Sequence, residues 1–218
     1  MERNWDLSEV SDGKIYGIND MVKAGCNDCR GCSDCCHNMG ESIVLDPLDI
    51  YRMTKGLKCA FSDLMNQGFI ELGIVDGLIL PHIKMQEKNA ACPFLNTEER
   101  CLIHAWRPGI CRIFPLGRVY ENHSFGYFLQ VHECRMEPKT KVKVKQWIAA
   151  DNIKEQERFV ADWHYYLKDY QRAAMNGELT EDELKQVSMR ILNTYYLAEY
   201  DSGQEFYEQY WVRREKEH

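Results

Sequence analysis

Five cysteines fall within eleven residues, at Cys26, Cys29, Cys32, Cys35 and Cys36, and no other feature of the chain narrows its possible folds as much. Thiolates at this density repel one another, and a bound cation is the simplest way to hold them together. Three thiols at two-residue spacing on a loop can wrap one face of an iron-sulfur cubane, with the remaining ligand arriving from elsewhere in the chain. Gly25 and Gly31 favour the loop; on a helix, Cys29, Cys32 and Cys36 would share a face while Cys35 turned away. The N-terminus argues against disulfides as the alternative. Residues 1–6 include acidic side chains and begin no apolar stretch of signal-peptide length, and no later segment reaches the ~20 apolar residues of a membrane span. A cytoplasmic, reducing location is therefore expected, with no membrane partner, and there a dense cysteine pattern points to metal ligation or redox chemistry.

The later thiols keep informative company. Cys92-Pro-Phe-Leu is followed by Cys101-Leu-Ile-His-Ala-Trp-Arg-Pro-Gly-Ile-Cys111-Arg-Ile-Phe-Pro, and Cys134 comes after a gap. Arg107 and Arg112, interleaved with these thiols, suit three roles. They offset the negative charge of a thiolate cluster, hold an anionic cofactor or substrate over it, or pair with surface carboxylates. A tetrahedral zinc or a four-iron cluster takes four thiolates, so nine candidate ligands imply two centres, or one centre plus a structural or redox-active remainder. Cys59 falls between two helices and reads as an ordinary thiol. His37, His104 and His132 neighbour the cysteines but read as hydrogen-bonded or surface histidines.

Away from the thiols, 218 residues with 44% apolar and 11% aromatic content can bury a sizeable core. A net charge of -7 argues against nucleic acid as a partner. Residues 1–25 show no clear period and read as an arm or lid. Asp46 as N-cap with Pro47 at the first helical position starts a helix that should run to Lys55 and stop at Gly56. A second helix is expected over Ser62 to Asn66. Hairpins are predicted where Ile70–Val75 meets Leu78–Leu80 across Asp76-Gly77, and where Arg118–Tyr120 meets Tyr127–Val131 across residues 121–124. Lys139, Lys141, Lys143 and Lys145 alternate with Thr140, Val142 and Val144, the pattern of an exposed edge strand or a solvated linker.

The C-terminal third is helical by period. Phe159, Val160, Trp163, Tyr166, Leu167 and Tyr170 recur at helical spacing, and Gly177 closes that segment. Thr180 and Glu183 form a capping box opening the next helix, whose inward stripe is Leu184, Val187, Ile191, Leu192, Tyr195 and Tyr196. A last helix carries Phe206, Tyr207, Tyr210 and Trp211. The predicted fold class is α+β: a cysteine-cluster metal-binding domain over 1–140 with short helices and hairpins, followed by amphipathic helices over 141–218 packed on it.

The series Cys29-x2-Cys32-x2-Cys35-Cys36, Leu45-Asp-Pro-Leu-Asp-Ile, Cys92-Pro-Phe-Leu, Cys101-x-Ile-His, Arg107-Pro-x-x-Cys111-Arg-x-Phe-Pro and Cys134 resembles the YkgJ-like cysteine-cluster family over roughly residues 26 to 135. That family is described as zinc- or iron-chelating, and a similar domain occurs in the flagellin lysine N-methylase, which is associated with an iron-sulfur cluster. The resemblance implies Cys29, Cys32, Cys35, Cys36, Cys92, Cys101, Cys111 and Cys134 as metal ligands, with Cys26 an addition that extends the site. Two functions follow as expectations. One is an iron-sulfur protein, 4Fe-4S by preference, working by redox or methyl transfer and acting on or with another protein. The other is a zinc-binding structural or interaction module without catalysis. No Gly-x-Gly-x-x-Gly announces a nucleotide site, so methyl transfer rests on the resemblance alone.

Overall fold

Local signals settle most of the elements. The computed structural model describes residues 7–26 and 32–217. Helix α1 (Leu7–Val10) and strand β1 (Met21–Gly25) precede the cysteine run. After it come α2 (Pro47–Leu57), α3 (Phe61–Asn66), β2 (Ile70–Val75), β3 (Leu78–Ile83), α4 (Gly109–Ile113), β4 (Leu116–Glu121), β5 (Ser124–Leu129) and β6 (Thr140–Lys143). The chain finishes in helices α5 (Val144–Ile148), α6 (Ile153–Met175), α7 (Glu181–Leu192) and α8 (Phe206–Glu215). The fold is α+β, and among the described residues its strands pair as three antiparallel two-stranded ladders, β1-β6, β2-β3 and β4-β5.

Both predicted hairpins form. β2 and β3 pair from Ile70↔Ile83 to Val75↔Leu78, and Asp76 (φ 48°) and Gly77 (φ 89°) supply the two positive φ angles of a tight hairpin turn. β4 and β5 pair from Leu116↔Leu129 to Glu121↔Ser124 around Asn122 and His123, both also at positive φ. Residues 140–143 of the lysine-rich stretch form a strand, and its partner lies within residues 1–25, the segment read from sequence as an arm or lid. Within that segment, Met21–Gly25 pairs with β6, because Val22 and Ala24 alternate with exposed neighbours and bury completely. Five residues are too few to show this period in a polar context. The ladder closes tightly at Gly25, where a Cβ would sit 2.3 Å from Thr140 Oγ1.

Helix α2 starts as the sequence dictates. Asp46 Oδ1 accepts from Asp49 N at 2.8 Å, Asp49 Oδ2 accepts from Asp46 N at 3.1 Å, and Pro47 takes the first turn. Such a cap contributes about 1 kcal/mol. The helix does not stop at Gly56. It continues to Leu57 and closes on Lys58 in the left-handed conformation, while Gly56 lets the Trp106 indole lie against its backbone, where a Cβ would meet the ring at 2.1 Å. Gly56 is thus a packing residue inside the helix.

The larger core lies between α2, α3, the β2-β3 hairpin and the three C-terminal helices. α6 contributes Phe159, Val160, Trp163 and Tyr166, α7 contributes Val187, Ile191 and Leu192, and the π-helical turn after α7 adds Tyr195 and Tyr196. Aromatic edges meet faces throughout, as in Trp163–Tyr195 at 5.1 Å and Phe159–Tyr210 at 4.7 Å, and each such pair is worth about 0.5–1.5 kcal/mol beyond its area. Ser188 Oγ on α7 accepts from Ile79 N at 3.0 Å, and Tyr196 donates to Leu45 O at 2.9 Å, so the helices are tied to the N-terminal half by polar as well as apolar contacts. A smaller core joins Val22 and Ala24 to Ile113, Leu116, Tyr127, Leu129, Val144 and Ile148. Among the described residues no helix is long and apolar enough to cross a membrane.

Candidate metal centre

Short backbone bridges gather the thiols. After Ser33 the chain makes one 3-10 turn, Asp34–Cys36, in which Cys36 N donates to Ser33 O at 2.7 Å. The segment that follows lies antiparallel to residues 90–92. Asn38 N donates to Ala90 O at 2.8 Å, and Cys92 N donates to Cys36 O at 2.7 Å. Cys92 is thereby set beside the Cys35-Cys36 pair. A turn from Cys92 to Leu95, with Leu95 bridged to Cys101, returns the chain so that Cys101 stands near Cys92. α4 then presents Cys111, and its first turn is pinned from below because Asp49 Oδ1 accepts the Gly109 N–H at 2.7 Å.

Electrostatics shows which thiols feel one another. The Cys35 thiol is held up first by its hydrogen bond with Cys36, then by burial and the Cys36 charge, against the opposing pull of Arg107. Burial pushes Cys92 up to about 11, and the charges of Cys101 and Cys35 add to the rise. Cys101 is raised by burial and lowered in part by Arg107. Cys111 is raised well above the usual thiol range by burial, then by Cys92, Cys35, Asp49 and Cys101. Cys35, Cys92, Cys101 and Cys111 therefore form one mutually interacting group, with Cys36 attached through Cys35.

A second, smaller group lies alongside. Cys134 is raised by burial and then by the charges of Cys26 and Cys32. Cys26, Cys32, Cys35 and Cys134 line one cleft of about 20 Å³, which Asp34 and Glu133 also border. The β1-β6 ladder is what delivers Cys26 to this place, and Lys139 Nζ fixes the Cys134 carbonyl at 2.6 Å. Cys29 lies outside the described residues. None of the nine described cysteines is in a disulfide. Among the described residues no three His, Cys, Asp or Glu side chains already close on a single point as metal ligands would. Cys59 sits between α2 and α3 and belongs to neither group.

The histidines stay at the margin. His37 Nε2 is 3.4 Å from Ser33 Oγ, which also donates to Glu99 Oε2 at 3.2 Å. His104 Nε2 contacts Arg107 Nη1, and His132 is exposed.

Arg107 acts directly on two thiols of the larger group, Cys35 and Cys101, and Arg112 lies near Arg107. Arg112 is lowered to about 10 by burial first and then by the guanidinium charges of Arg52 and Arg107, and its Nη2 donates to Ala105 O at 2.6 Å. Arg52 Nη1, Arg107 Nε, Arg112 Nε and Arg118 Nε are all buried without a hydrogen bond. An unpartnered buried donor costs about 1–3 kcal/mol, more when charged. For Arg107, which acts on Cys35 and Cys101, an anionic centre of thiolates and metal is the kind of neighbour that compensates such a donor, so the residues present fit a thiolate-bound metal group.

The motif reading misses the layer behind α4. Asp49 is 3% exposed, and burial raises both Asp46 and Asp49, with the Asp46 charge adding to the rise at Asp49 and the cations Arg52 and Arg118 opposing the rise at Asp46. Arg118 is also held by Tyr120 and Tyr127. The sequence signals Asp46 and Asp49 only as a helix cap. Nothing local to β4 marks Arg118 as a buried partner.

Against known proteins, a CxxCxxCC family model, described as "Putative zinc- or iron-chelating domain", matches residues 28–150. Neither a curated protein nor a solved structure gives a significant match.

Proposed function

The chain belongs to the CxxCxxCC family of zinc- or iron-chelating domains, and from that premise we propose that its metal group is an iron-sulfur cluster held by Cys35, Cys92, Cys101 and Cys111. What supports this reading is that Cys35, Cys92, Cys101 and Cys111, from separate segments, act on one another electrostatically, with the Arg107 guanidinium acting on Cys35 and Cys101. All-thiolate ligation by four cysteines is the donor set of a four-iron cluster. When bound, the cluster supplies one-electron chemistry. The protein's own part is to keep that site dry, to offset its negative charge with Arg107 and Arg112, and to fix α4 on Asp49. In a redox or methyl-transfer reaction the same two arginines are the contacts for an anionic substrate.

Purification without oxygen tests the assignment. Brown protein with broad visible absorption bleached by dithionite, and iron and sulfide in equal amounts, is the expected result. Colourless protein carrying stoichiometric zinc would replace the cluster by a closed zinc site on the same thiols.

The raised thiols also fix the sign of a pH effect. Without metal these four groups are protonated at neutral pH, so each thiolate that becomes a ligand releases a proton. Metal affinity should therefore rise steeply as pH rises and fall on mild acidification. Competition with a chelator at a series of pH values measures it, and an affinity independent of pH would mean that the thiols are not the ligands.

A further inference from the structure

The cluster assignment uses four thiols and leaves the smaller group over. Cys26, Cys32 and Cys134 line a cleft of about 20 Å³, whose walls also include the apolar side chains of Phe114 and Met136. Space of that size accepts about one water-sized sphere. It suits a single ion and is far too small for a cubane.

The fold sets these thiols in place by contacts that do not involve metal. Cys26 follows directly on β1, whose pairing with β6 at Gly25↔Thr140 fixes it, and it is only 3% exposed. The same corner holds Cys134, because Lys139 Nζ donates to its carbonyl at 2.6 Å. Cys32 precedes the buried Ser33, whose Oγ donates to Glu99 Oε2 at 3.2 Å. Segments distant in sequence thus bring three sulfurs to one small space.

A second observation marks Cys134 as a ligand. The Met136 amide donates to the Cys134 sulfur, as the Phe94 amide does to Cys92 and the Ile103 amide to Cys101. An N–H directed at sulfur favours thiolate over thiol. The arrangement found at two cysteines of the larger group is therefore repeated at one outside it. Lys139 favours the same ionised form, while Cys26 and Cys32 are the thiols whose charges act on Cys134.

We infer that Cys26, Cys32 and Cys134 hold one thiophilic divalent ion of the zinc class, in a mononuclear site beside the larger group and distinct from it. Three thiolates fill three corners of a tetrahedron, and Asp34 and Glu133, which border the cleft, supply oxygen for the fourth. The ion draws together sulfurs that line the cleft without closing on a point. Each thiol that ligates gives its proton to solvent, and no electron moves. Cys35 also borders the cleft and forms the wall shared with the larger group. The inference rests on the reading of Cys35, Cys92, Cys101 and Cys111 as one centre.

The test uses the full chain purified without oxygen, with metal in the larger group, equilibrated with zinc and gel-filtered. One zinc per chain is expected beyond the metal of the larger group, and its X-ray absorption should show three or more sulfur neighbours. Cys134→Ser should lower affinity for that zinc by more than the roughly 10–100-fold that loss of a residue behind the ligands costs, while the larger group keeps its metal. Cys111→Ser should do the reverse. If the larger group holds zinc instead of a cluster, the parent carries two zinc ions and each variant keeps one, so failure of the cluster assignment leaves this site standing. The inference is overturned if the parent takes up no additional zinc, if that zinc survives both Cys26→Ser and Cys134→Ser, or if a folded Cys134→Ser loses both metals together. Should the variants fail to fold, the parent's zinc decides: fewer than three sulfur neighbours overturns the site.

Discussion

Cys111→Ser is expected to strip the larger thiol group of its metal and to lower the protein's stability in the same step. Cys111 is the thiol on which the charges of Cys35, Cys92 and Cys101 all act, and it is carried by a helix of only five residues. A hydroxyl is a poor substitute for thiolate, and removal of one ligand of four lowers affinity by orders of magnitude. Any stabilisation that the metal lends by binding only the folded state disappears with it, about 4 kcal/mol where metal exceeds its dissociation constant a thousandfold. Metal analysis together with denaturant unfolding of parent and variant measures both losses. Cys59→Ser is the control: that thiol lies outside both groups, so metal content should not change and the cost should stay under about 1 kcal/mol. Loss of metal from Cys59→Ser, or retention of full metal by Cys111→Ser, would break the assignment of the larger group.

Asp49→Ala carries the second large effect, and it arises without touching a thiol. The Asp49 carboxylate accepts from Gly109 N and Asp46 N, and it lies near the Arg52 charge. Removing it undoes half of the α2 capping box, frees the first turn of α4 and leaves the Gly109 and Asp46 N–H groups without their acceptor. A buried donor left without its acceptor costs about 1–3 kcal/mol, and two of them amount for a chain of this size to a fall of roughly 5 °C or more in melting temperature. Asp49→Asn keeps an acceptor for Gly109 N and should lose less. Because α4 presents Cys111, the alanine variant should also release metal faster to a chelator. A melting temperature within a degree or two of the parent would show that Asp49 does not hold α4 in place.

Much of this fold is written in short stretches of sequence. Asp76-Gly77 forces positive φ at two adjacent positions, and the strands on either side have no choice but to pair. Thr180 and Glu183 exchange hydrogen bonds at the start of α7, Thr180 N to Glu183 Oε2 at 2.8 Å, within four residues of each other. The stripe Phe159, Val160, Trp163 and Tyr166 is legible because one helical turn repeats it. Gly56 shows the limit of that local logic. Read alone, a glycine in that place ends a helix; in the folded chain it is the surface on which Trp106, fifty residues later, comes to rest. Met21–Gly25 shows it again, since a five-residue strand has meaning only once Thr140–Lys143 lies against it.

By itself, then, the sequence determined the kind of chemistry, a thiol-rich metal site in an α+β chain, together with the turns, caps and helix faces that neighbouring residues specify among themselves. Tertiary structure alone decided that Cys111 keeps company with Cys35, Cys92 and Cys101 while Cys134 keeps company with Cys26 and Cys32, with Cys35 bordering both groups. It alone placed Asp49 under α4. The physical reason is range. Hydrogen bonds and side-chain periods act over a few residues and leave their mark in order, whereas burial and charge act through space, between segments whose meeting no local pattern records.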